Sequence, residues 1–163
     1  MAIIHAVWMA STIGMGFPGD DCPMRPPPLD IAGIRASKDV KSLVVDSSRR
    51  SASLLLRDGS SVRVINMGCQ HSGSVARAWV VNPAPLNDGR VWIGEANKLA
   101  RIVFTPAEAR SFFAWASNGQ LRKTGDNRMV LEGQGGGEIT YSVEVEPASM
   151  GMGAWLTISY YYP

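Results

Sequence analysis

The spacing of apolar residues changes twice along this chain, and those two changes restrict its fold more than any single motif does. From Leu43 to Val81 apolar residues come in short runs or alternate with polar ones, the habit of strands. Ala96, Leu99, Ala100 and Val103 then fall at the i, i+3, i+4, i+7 spacing of one helical face. Thr105-Pro106-Ala107-Glu108 opens a second helix at once. The threonine caps it, the proline takes the first helical position where its missing N–H costs nothing, and Glu108 reaches back to the cap. Ala109, Phe112, Phe113 and Ala116 make the apolar face of this helix, and Asn118-Gly119 stops it. Alternation returns in Ile139, Tyr141, Val143 and Val145, and again from Ala154 to Tyr162. The order predicts an α+β fold: an antiparallel β-sheet with two helices, at about 94–104 and 106–117, inserted between N-terminal and C-terminal strands.

Within the first half, Leu43-Val44-Val45 and Ala52 to Leu56 read as strands. Asp58-Gly59-Ser60 is the hairpin signal that returns the chain along Val62 to Met67. Gly68 marks a bend, and Ala76 to Val81 resumes as a strand ending at Asn82-Pro83-Ala84-Pro85. Met129 to Glu132 is the first strand after the helices. In the last strand, Tyr160 and Tyr162 are expected to pack against the helices, with Tyr161 on the opposite face.

Before Asp20 there is no Asp, Glu, Lys or Arg. The apolar stretch from Ala2 to Phe17 resembles the h-region of a signal peptide, although a basic n-region is missing; the other reading is a buried N-terminal strand or helix. About 17 apolar and small residues interrupted by His5, Ser11 and Thr12 make a poor membrane span, and no later segment is long and apolar enough to cross a bilayer. The expected organisation is a signal-like leader at 1–19 and a single domain at 20–163 with a proline-rich arm at 22–30. Pro23, Pro26, Pro27 and Pro28 forbid a regular helix or a central strand in that arm. In an oxidising compartment Cys22 and Cys69 are expected to pair. Closing the loop of about 47 residues between them contributes about 4 kcal/mol in the chain-entropy model.

Charged residues make up only 18% of the chain and the net charge is +2, with basic side chains scattered among acidic ones. Nucleic-acid binding lacks its concentrated cationic face. His71 is the only histidine after the leader, which removes a multi-histidine metal site, and Cys22, Cys69 and His71 lack the paired spacing of zinc frameworks. Cys69 and His71 fall on one face of an extended segment, workable for a nucleophile and its base if Cys69 is a free thiol. Ser72 or Ser74 beside His71 has no G-x-S-x-G elbow to present it. Glu144 and Glu146 lie about 7 Å apart on one strand face, a separation that invites a glycosidase reading, but their alternation with Val143 and Val145 marks a solvated face. The glycine run Gly133 to Gly137 lacks the Lys-Ser/Thr and helix start of a phosphate cradle and reads as a hairpin loop. No cofactor and no metal are expected.

What remains is Gly68-Cys69-Gln70-His71-Ser72-Gly73, a polar loop tied at one end by the expected disulfide. The stretch from Leu54 to Trp79, a strand hairpin running into Gly-Cys-x-His-x-Gly and a further strand, resembles small periplasmic proteins that inhibit cell-wall hydrolases. These include lysozyme inhibitors and the immunity proteins that bacteria keep against type VI secretion amidase or muramidase effectors. The resemblance covers about a sixth of the chain. It implies a periplasmic or secreted binding protein that plugs a partner's active-site cleft, with Gln70, His71, Ser72 and Gly73 as the partner-binding residues. Two other classes compete with it: a small exported enzyme using Cys69 and His71, and a non-catalytic structural domain of the envelope.

Overall fold

The computed structural model describes residues 26, 28–68, 72–125, 128–135, 139–148 and 152–162. A short helix, α1 (Ile31–Ala36), precedes the strands β1 (Val40–Val45), β2 (Ser51–Leu56), β3 (Ser61–Met67) and β4 (Ser72–Val80). Two longer helices follow, α2 (Gly89–Val103) and α3 (Pro106–Ala116), and then β5 (Arg122–Thr124), β6 (Arg128–Gln134), β7 (Thr140–Pro147) and β8 (Ala154–Tyr162). The eight described strands form one antiparallel sheet in the order β1-β2-β3-β4-β8-β7-β6-β5. The protein is therefore α+β and mostly sheet.

That order explains why the helices interrupt the strands where they do. The first meander steps inward from an edge and leaves β4 in the middle of the sheet; the second starts at the opposite edge with β5 and steps inward to β8. The chain between Val80 and Arg122 must cross half the sheet, and α2 and α3 carry it over one face. Both apolar faces are thereby buried together. Val62, Val64, Ala76, Ala78, Leu156, Ile158, Val143 and Val145 from the strands and Trp92, Ala96, Leu99, Ala100, Phe112 and Ala116 from the helices are all buried in one core. The far edge is blunted by β5, three exposed residues that include Arg122 and Lys123, and the near edge by an irregularity between Val40 and Ser42 in β1. Short, charged or bulged edges resist pairing with other chains.

Three differences from the sequence reading have simple causes. The first long helix begins at Gly89 rather than near 94, because Asp88 caps it by accepting from Val91 N at 3.2 Å. Trp92 extends the apolar face one turn backward, its indole N–H donating to Pro85 O at 3.2 Å, but Gly89 and Gly94 interrupt the helical pattern around it. Helix α1 was not expected: it is six residues long and buries only Ile34, too little to make a periodicity. Strand β5 has no buried residue and so carries no alternation. Of the proline-rich arm, the described end is anchored, with Leu29 buried and its N–H donating to Arg49 O at 3.0 Å. The leader at 1–19 and Cys22 lie outside the described residues.

Candidate functional site

The predicted binding segment meets the sheet at its centre. Ser72 and Gly73 are the first residues of β4, opposite Tyr162 and Tyr161 of β8, while Gly73 also faces Met67 across the β3–β4 ladder. The polar loop expected over 68–73 is thus shorter, because its last two residues are strand. Cys69, Gln70 and His71, which carry the rest of that expectation, lie outside the described residues. Gly73 is required by the pairing itself. A Cβ there would lie 2.4 Å from the carbonyl oxygen of Tyr160 and 3.0 Å from the ring of Tyr161, well inside contact distance.

On the helix-facing side of this same end, alternation places Ser72 and Ser74 beside Tyr162 and Tyr160. The partner of Tyr160 comes from α3. Glu108 completes the capping box, its Oε2 accepting from Thr105 N and Thr105 Oγ1 at 2.8 Å each, and its Oε1 accepts from the Tyr160 hydroxyl. One carboxylate therefore both starts α3 and ties it to β8. Phe104 closes the cluster, its ring edge-on to Tyr160 at 4.9 Å, and Tyr162 stands edge-on to the other side at 5.5 Å. Ser74 is buried, and its Oγ has no hydrogen-bond partner among the described residues. Tyr162 is the more open of the two helix-facing tyrosines.

Burial, and then the hydrogen bond to Glu108, push the Tyr160 hydroxyl far above the ordinary tyrosine value of 10.0. Burial also raises Tyr141 and Tyr162. The neutral form is favoured in the folded chain, so these groups contribute stability that is complete below about pH 10 and is lost as pH climbs from there toward their folded values. Alkaline unfolding is expected to carry the phenolate absorbance of Tyr160 with it, and Tyr160→Phe is expected to flatten the alkaline branch of the stability curve. Ionisation of Tyr160 near pH 10 in protein that is still folded would contradict this.

The carboxylates singled out in the sequence lie elsewhere, on the sheet face away from the helices. Glu144 Oε2 pairs with Arg128 Nη2 at 2.6 Å, and Glu146 Oε2 with Arg77 Nη2 at 3.2 Å. The Arg77 guanidinium also lies 4.5 Å over the ring of Trp155, which meets Trp79 edge to face at 5.0 Å. Each glutamate is thus engaged with a cation on an open surface rather than facing the other across a cleft. Among the described residues no group of three His, Cys, Asp or Glu could hold a metal ion, and no helix is long and apolar enough to cross a membrane. No family model, curated protein or solved structure matches this chain.

The site must accordingly be read from its own chemistry. The capping box was legible as a helix start, but its attachment to Tyr160 spans 52 residues of sequence and nothing local signals it. Both Glu108 oxygens are occupied by donors of the chain itself, which makes the carboxylate a fastener of α3 to β8. This end of the sheet is paired on both sides of β4, to β3 as far as Met67–Gly73 and to β8 as far as Ser72–Tyr162.

Proposed function

We propose that this chain is an exported, periplasmic binding protein of the immunity type, which inhibits a cell-wall-degrading effector or hydrolase by seating residues 70–73 in its active-site cleft. The observation that carries the reading is the support beneath that segment. Strands β4 and β8 pair without interruption from Ser72–Tyr162 to Val80–Ala154, and β3 pairs with β4 as far as Met67–Gly73. Ladders that run unbroken to Met67 and Ser72 fix the backbone on either side of residues 69–71, so little order at those anchor points is left to be gained when a partner binds. Binding groups on such a connection, held by a rigid scaffold, suit recognition of a cleft. In this reading Cys22 and Cys69 pair and hold the proline-rich arm against the same end of the domain.

The test is inhibition. The purified chain is mixed with a muramidase, an amidase and the product of the adjacent gene, and residual hydrolase activity is measured. Inhibition of one of them is expected, weakened at least about tenfold by His71→Ala or Ser72→Ala with an unchanged melting temperature. No inhibition and no co-purifying hydrolase would overturn the reading. Thiol titration of the denatured, unreduced chain is expected to find no free thiol. Two free thiols would remove the staple and point instead to catalysis by Cys69 and His71.

A further inference from the structure

The glycine run at the end of β6 has a structural consequence separate from the β3–β4 end. Gly133 pairs with Tyr141, and Gly135 N donates to Ile139 O at 2.8 Å, so both glycines stay in the ladder. Both also face α3. A Cβ on Gly135 would lie 2.3 Å from the Tyr141 ring, and one on Gly133 would lie 3.4 Å from Trp115 Nε1. Met129 and Leu131 earlier in β6 send side chains to this side, but at Gly133 and Gly135 none rises toward α3, which contributes the small Ala114 here. The gap remains as a groove of about 410 Å³, lined by Ser111, Ala114, Trp115, Asn118, Gln134 and Gly135. That volume is within the range of small-molecule sites.

The walls specify the ligand. Trp115 is half-buried and held by tilted contacts with Tyr141 at 5.3 Å and Phe112 at 5.6 Å, and the Asn118 carboxamide is oriented by donating to Ala114 O at 2.9 Å. Every lining residue among the described residues is neutral. A charged ligand would surrender hydration with no counter-charge among these described residues to receive it, and a wholly apolar one would strip water from the hydrogen-bonding capacity that Ser111, Asn118 and Gln134 keep beyond their bonds within the chain. The class that satisfies both conditions is a neutral ring with a C–H face and hydroxyl edges. We propose that the groove between α3 and the end of β6 is a binding site for a neutral carbohydrate, with the sugar ring against Trp115 and its hydroxyls on Ser111, Asn118 and Gln134. The proposal does not rest on the inhibitor reading, whose residues lie at the β3–β4 connection.

The full chain is titrated calorimetrically, and by tryptophan fluorescence, with chitotetraose, cellotetraose and maltotetraose, and with an oligogalacturonate as the acidic counterpart. Saturable binding of at least one neutral oligosaccharide is expected, weakened about tenfold or more by Trp115→Ala and by Asn118→Ala, and unaffected by Trp155→Phe on the opposite face of the sheet. Should Trp115→Ala fail to fold, Asn118→Ala and Ser111→Ala, at exposed positions on and just beyond α3, decide the matter. Absence of saturation with all three neutral sugars, equal binding of the acidic one, or binding indifferent to Asn118→Ala and Ser111→Ala would each overturn the assignment.

Discussion

Phe112→Ala is expected to lower the unfolding free energy by about 3–5 kcal/mol, a fall of about 10–15 °C in melting temperature for a domain of this size. Phe112 has no exposed surface, and its ring lies within 5.6–6.5 Å of the rings of Trp115, Phe104, Tyr141 and Phe113. These neighbours belong to α3, to the end of α2 and to β7, so the ring joins both long helices to the sheet. Removing it leaves a cavity that the surrounding aromatic rings, each held by other contacts, cannot collapse to fill. Phe113 provides the comparison. It is only half-buried beneath the Arg101 guanidinium, and Phe113→Ala is expected to cost less than half as much. Urea denaturation reads both, with a shifted midpoint at an unchanged slope. A cost below about 1 kcal/mol for Phe112→Ala would mean that α3 is not docked on the sheet as described.

Gly73→Val is expected to cost about 3 kcal/mol, near the top of the range for overpacking. What the new side chain meets is chiefly the backbone carbonyl of Tyr160, which cannot rotate away as a side chain does. Relief requires β4 and β8 to separate at their Ser72–Tyr162 end. The effect therefore extends beyond stability: the variant is expected to show faster amide exchange in β8 from Tyr160 to Tyr162 and, under the inhibitor reading, weaker inhibition even where folding survives. Ser72→Ala, on the adjacent residue, creates no such contact and is expected to leave exchange in β8 as it was. Equal exchange in both variants would remove the link between ladder rigidity and the 68–71 connection.

Much of the architecture was legible because it rests on local physics. Alternation at 139–145 and 154–162 reports strands with one buried face, the spacing at 96–103 reports a helix, and the Thr105 to Glu108 box places the start of α3 because a cap must satisfy N–H groups within one turn. Where local signals were thin the reading fell short. The first six residues of α2 carry two glycines around a single buried tryptophan, and α1 and β5 bury one residue and none. The segment proposed for binding stands out in the sequence by its polarity and its glycines, but its boundary with β4 does not, since Ser72 and Gly73 are held there by partners from β3 and β8.

The sequence by itself determined the class and order of every element except α1 and β5, because periodicity and capping depend on residues within a few positions of one another. Only the tertiary structure decided that β4 and β8, residues 72–80 and 154–162, lie side by side at the centre of the sheet. It also decided that Glu108 fastens α3 to Tyr160, and that Gly133 and Gly135, set against Trp115 and Tyr141, leave a groove beside α3. Each is a long-range pairing in which neither partner carries a local mark of the other. Their geometry comes from burying the helices and both meanders in one core, and it exists only once the whole chain has folded.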